Sequence, residues 1–167
     1  MVGIKLNLGQ KVKKIVSENI ETYKAKGAPI VERVLKKEII DAIKSGKSPV
    51  KGGGGQTGSG VRFVGYSETY KDQIKKSKKI KKYGKRLRPI NLLLSGKMLK
   101  SVKSKHRRDG LVSIWFTDKK AKYHNEMGAG KSKVIRRMLP IDNQEFSLTI
   151  SRKLKKLIER VIKRYTK

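Results

Sequence analysis

The chain has 167 residues, of which 44 are Lys or Arg and 13 Asp or Glu, giving a formal net charge of +31 with both His neutral. Charge of that size in so short a chain points to a polyanion or to acidic neighbours in an assembly. The absence of Cys excludes disulfides, a thiolate nucleophile, Cys-ligated zinc and iron–sulfur chemistry, and no run approaches the ~20 apolar residues of a membrane span.

The N-terminus, MVGIKLNLGQKVKK, lacks the apolar stretch of a signal peptide, so a soluble, unprocessed chain is expected. Over residues 8–43 an apolar stripe at Leu8, Val12, Ile15, Val16 and Ile20 resumes at Val31, Val34, Leu35, Ile39, Ala42 and Ile43. That spacing predicts helix. Gly27, Ala28 and Pro29 interrupt it, which leaves one helix kinked at Pro29 and a pair of helices as the alternatives. Gly46 and Pro49 close this segment, taken as residues 1–48.

Residues 49–60 contain KGGGGQTGSG, a Gly-rich stretch without apolar side chains, read as a flexible loop. The remainder, 61–167, is read as an α+β core. Val61, Phe63, Tyr66 and Tyr70 anchor its start, and a basic loop follows over 71–88. Residues 71–108 hold sixteen Lys and Arg against one acid, Asp72. Within this span PINLLLSGKMLKSV predicts an extended PINLLL, an N-cap at Ser95 and a short helix carrying Met98, Leu99 and Val102.

After a turn at Asp109 and Gly110, LVSIWF predicts a strand with Val112, Ile114 and Phe116 on one face. AKYHNEMGAG predicts a short helix ended by Gly128, and KVIRRMLPI a second strand stopped at Pro140. The last element has a helical stripe from Phe146 and Ile150 through Leu154, Leu157, Ile158, Val161, Ile162 and Tyr165, with cations on the other face. The expected fold is therefore α+β: an N-terminal helix or kinked pair, a small antiparallel sheet, and an amphipathic C-terminal helix over 146–165 packed on that sheet at 111–116 and 133–139.

No stretch carries a catalytic constellation. GAGKS at 128–132 has Asn125, and GKS at 46–48 has Asp41, where a phosphate-binding loop needs its first Gly. His106, among cations, and His124 read as structural histidines. The i, i+3 pairs Glu38/Asp41 and Asp142/Glu145 read as charge balancing, and Ser67, Ser95 and Ser101 have no visible base. No metal or cofactor site and no enzyme activity is expected. The basic tract Lys75, Lys76, Lys78, Lys79, Lys81, Lys82, Lys85, Arg86 and Arg88 is the candidate surface for DNA or an acidic partner. Its single aromatic, Tyr83, makes phosphate contact a better expectation than base stacking.

Three stretches, YSETYKDQ at 66–73, PINLLLSGKML at 89–99, and AKYHNEMGAG with RRMLPIDNQEFS across 121–147, together resemble tailed-phage head–tail joining, neck and tail-completion proteins of the minor tail protein Z and virion morphogenesis type. The resemblance spans residues 48 to 150. It rests on Tyr66, Ser67 and Tyr70; on Pro89, Asn91, Leu92, Ser95, Gly96 and Met98; on Tyr123, His124 and Gly128; and on Arg136, Arg137, Pro140 and Phe146. The lysine tract is richer than that pattern. The resemblance implies a non-catalytic structural protein forming a homo-oligomeric ring in the virion neck. Its partners would be portal, connector or tail-terminator proteins, with nonspecific contact to double-stranded DNA, no membrane, and residence in the host cytoplasm during assembly. A general basic nucleic-acid-binding protein without catalysis is the alternative.

Overall fold

The computed structural model describes residues 9–55, 62–77, 85–87, 90, 92, 96–129, 133–141 and 143–166. The N-terminal stripe forms α1 (Gly9–Glu18), α2 (Ile20–Thr22), a π-helical turn (Tyr23–Gly27) and α3 (Ala28–Lys44). Pro29 sits in the first turn of α3. Its missing N–H and its ring, which would collide with a carbonyl one turn back, are accommodated by the wider π turn that precedes it. The kink also builds a contact. A Cβ at Gly27 would lie 2.6 Å from the Tyr23 ring and one at Gly110 3.1 Å from it, so two glycines bracket this buried tyrosine.

Ala28, Val31, Leu35, Ile39 and Ile43 of α3 have no exposed surface and form the spine of the core. One side of α3 packs on a hairpin of β1 (Val102–His106) and β2 (Val112–Phe116). The strands are antiparallel, with Val102 opposite Phe116, Ser104 opposite Ile114 and His106 opposite Val112. The turn lies at Asp109–Gly110, as expected: Gly110 has φ +85°, and the Leu111 N–H donates to Asp109 Oδ1 at 3.0 Å. α5 (Lys97–Lys100) precedes β1, with Gly96 in the cap position at φ +74°; the expected cap, Ser95, lies outside the described residues. Val102 starts the strand instead of ending the helix.

α4 (Glu68–Lys75) occupies the first part of what the sequence presents as a basic loop. α6 (Lys119–Lys122) continues into a second π-helical turn, Tyr123–Met127. The chain closes with α7 (Leu148–Tyr165), which buries Ile150, Leu154, Ile158, Val161 and Ile162. The α+β class and the amphipathic terminal helix are as expected. Its packing partner differs: α7 lies against the first π turn, α3 and α1, and the hairpin sits on α3. A Lys153–Glu38 ion pair of 2.7 Å joins α7 to α3.

The expected strand at 133–139 does not form. Its N–H groups are dispersed among unrelated acceptors, Arg136 to His124 O at 2.7 Å, Arg137 to Gly53 O at 2.8 Å, and Met138 and Leu139 both to the Asn125 Oδ1 at 2.7 and 2.9 Å. Among the described residues the stretch pairs in sheet fashion through an isolated bridge of Val134 with Ala129, and these other N–H groups have no ladder to join. The glycine stretch is packed over residues 53–55, while Lys51 and Gly52 are exposed. Gly53 and Gly54 are buried. A Cβ on Gly53 would lie 2.3 Å from Ser48 Oγ, and one on Gly55 2.4 Å from Ile135 O. Glycine is needed there for close backbone approach.

Candidate functional site

Ser67 caps α4 by accepting the Tyr70 N–H at 3.4 Å, which fixes Tyr66 and Tyr70 as an edge-to-face pair with centroids 4.9 Å apart. Two cations meet the Tyr66 ring, Lys85 Nζ at 4.5 Å and the Arg136 guanidinium at 5.4 Å from its centroid. Lys85 Nζ also donates to Tyr66 Oη at 3.0 Å and lies 5.7 Å from the centroid of Tyr70. Arg136 donates through Nε to Val64 O at 3.1 Å and through Nη2 to Gly65 O at 2.9 Å. Both cations are buried, with exposures of 6% for Lys85 and 3% for Arg136.

His124 stands beside them, its carbonyl holding the Arg136 N–H. Its Nδ1 is buried and has no hydrogen-bond partner among the described residues. Burial pushes His124 down to about 4, with Arg136 and Lys85 adding repulsion. Burial, reinforced by Arg136, brings Lys85 down to about 8. Burial raises both tyrosines. The cluster is thus a desolvated region of positive potential, faced by aromatic rings and backbone carbonyls.

The positions that carry the resemblance fall in different surroundings. Tyr66, Tyr70, His124 and Arg136 meet in this cluster. Leu92, Met98 and Phe146 belong to the apolar core, and Pro140 is buried. Ser67, Gly128 and Arg137 hold backbone beside the cluster, and Gly96 caps α5. Gly128 has φ +83° and approaches Lys133 so closely that a Cβ would lie 2.1 Å from its carbonyl oxygen. The Arg137 Nη1 donates to the Asn125 carbonyl. Tyr123 is exposed. Pro89, Asn91 and Ser95 lie outside the described residues.

The basic tract is split. Lys75 and Lys76 are exposed at the end of α4, Lys75 pairing with Asp72 at 3.3 Å. Arg86 is exposed, with Nη2 3.4 Å from Lys44 O. Lys85 is turned inward, a placement that nothing in a run of lysines announces. Lys78, Lys79, Lys81, Lys82 and Arg88 lie outside the described residues. A second basic surface is exposed on α7, where Arg152, Lys155, Lys156, Arg160, Lys163 and Arg164 line the outer face.

His106 has a partner that local sequence does not reveal: Glu32 of α3, with Oε2 2.5 Å from Nδ1. Burial pushes the Glu32 carboxyl up, but hydrogen bonds from His106 and Ser104 and the His106 charge outweigh it and hold the group below its usual range. The side chain of Asn125 anchors Met138 and Leu139, a role that its sequence signal, a polar residue three positions before a helix-ending Gly, does not announce. Among the described residues no group of three His, Cys, Asp or Glu side chains assembles as a metal site would require. No family model, curated protein or solved structure matches this chain.

Proposed function

We propose that the chain is a structural protein of the tailed-phage neck, a head–tail joining or tail-completion protein that forms part of a ring around the DNA path. The observation that carries this reading is spatial. Tyr66, Tyr70, His124 and Arg136, which share the motif pattern, come from stretches up to seventy residues apart and meet in one cluster. The charge agrees with it, because a ring of basic chains lowers the cost of confining duplex DNA with one negative charge per ~1.7 Å. Portal, connector or tail-terminator proteins would be the partners, in the virion and in the host cytoplasm during assembly.

The test is to disrupt the gene in the phage or prophage that encodes it and inspect lysates by electron microscopy. Filled heads and separate tails in place of joined particles are expected. Normal infectious particles overturn the reading. The outer face of α7, with its six exposed cations, favours a second reading as a general nucleic-acid-binding protein without catalysis. That reading requires tight duplex binding by the isolated monomer, whereas the neck reading requires assembly with protein partners.

A further inference from the structure

Lys85 and Arg136 are both more than nine-tenths buried and share one aromatic ring. Among the described residues, the ion pairs formed by carboxylates all lie elsewhere, at Glu18, Glu21, Glu32, Glu38, Glu68, Asp72, Asp109 and Glu145. Buried cations are ordinarily paired with an anion. Here ring faces, a phenol and two carbonyls supply partial negative charge, and no carboxylate among the described residues pairs with either cation. The unpartnered Nδ1 of His124 is a second sign of an absent group. The cluster lies near the surface, since Tyr70, whose ring centroid is 5.7 Å from Lys85 Nζ, is 36% exposed.

We propose that this cluster is a receptor for one carboxylate, presented by an acidic side chain of a neighbouring protein chain and received between Lys85 and Arg136. Depth selects this ligand. A phosphate of duplex DNA is fixed on a wide rod and meets exposed cations, whereas Lys85 and Arg136, 6% and 3% exposed, suit a carboxylate carried on a two- or three-bond stem. A guanidinium and an ammonium together suit it, the first as a planar fork and the second as a point charge. Its supply by a neighbouring chain rests on the assembly reading above; carboxylate binding itself does not, and the test isolates it.

The experiment melts the isolated full chain at pH 7 in sodium acetate, sodium phosphate and sodium chloride at matched ionic strength, with Lys85→Met, Lys85→Arg and, as an exposed control, Lys155→Gln. Acetate at several times its Kd is expected to raise Tm by about 3 °C over chloride in the parent, Lys85→Arg and Lys155→Gln, and not in Lys85→Met. NMR titration of the Lys85 side chain in the unmodified protein provides a readout independent of any variant: acetate should move its titration upward. An equal acetate response in Lys85→Met, or a Lys85 titration that acetate leaves in place, overturns the proposal. Stabilisation by phosphate with none by acetate also overturns it, assigning the site to phosphate instead.

Discussion

The two sides of this molecule are held together by opposite means. Around α3, fully buried aliphatic side chains meet α7 on one flank and the hairpin on the other, and each removes apolar surface from water at about 25 cal/mol per Å². Around Tyr66 the groups drawn from water are a buried lysine, a buried arginine and a half-buried histidine, whose desolvation opposes folding and is only partly offset by ring faces and carbonyls. The first region supplies stability and the second consumes it. Their adjacency teaches where function is to be sought: a fold with a modest apolar core retains such a cluster at a cost to the free monomer.

The contrast is broken most directly in the core. Leu154→Ala on α7, or Ile39→Ala on α3, should lower unfolding free energy by about 2–5 kcal/mol in urea titrations, because both sites are completely buried. Leu157→Ala should cost clearly less, since Leu157 is only partly buried against the same cluster. Equal losses at Leu154 and Leu157 would mean that α7 is packed on a different face.

Next in size is a pH effect confined to the cationic cluster. With its value depressed from 6.5 to about 4, His124 stays neutral in the native state where the unfolded chain takes up a proton. More protons on the unfolded state mean that stability falls as pH drops from about 6.5 towards 4, by on the order of 2 kcal/mol. His124→Gln should remove that part of the slope. Carboxylates protonate in both proteins, so the difference between the two urea-midpoint profiles is the measurement. Parallel profiles from pH 7 to 4 would show that His124 is solvated.

A loss of similar size is expected where backbone meets backbone. Gly128→Ala forces a Cβ into a left-handed residue and against the Lys133 carbonyl, costing about 1–3 kcal/mol. It should leave α7 protected in hydrogen exchange while loosening the 133–139 stretch, because the strain falls beside the cluster and away from the α3 spine.

These regions were also unequally legible. α3 and α7 follow from stripes at 3.6-residue spacing, since each buries one continuous face. β1, VKSKH, carries one apolar residue and could not be told from the end of α5. KVIRRMLPI has strand composition, but its N–H groups are claimed by Gly53, His124 and Asn125, which only tertiary structure brings together. Residues 53–55 have the composition of a linker and the packing of a core turn. The cluster was half legible: the motif pattern marked Tyr66, Tyr70, His124 and Arg136, but burial separates Lys85 from its neighbours, and a run of identical side chains carries no signal of which one turns inward.

That separation yields the smallest expected effect on stability and the sharpest use of it. Replacing Lys75, Lys76, Lys78, Lys79, Lys81 and Lys82 with Gln, while keeping Lys85, removes six like charges at sites that include an exposed helix end. The one ion pair lost among the described residues is Lys75–Asp72, an exposed i, i+3 contact worth about 0.2–0.5 kcal/mol. Relief of self-repulsion opposes even that, so Tm should barely move. Duplex binding is the quantity that should respond. Each lysine that contacts a phosphate contributes about 0.9 to the slope of log affinity against log salt, so the slope should become shallower by up to six such steps if the tract tracks DNA. A large fall in Tm would mean that these lysines belong with Lys85, on the inward-facing side of the tract. An unchanged slope with unchanged Tm would move duplex contact to the outer face of α7, where Arg152, Lys156 and Arg160 follow one another at four-residue spacing along one ridge.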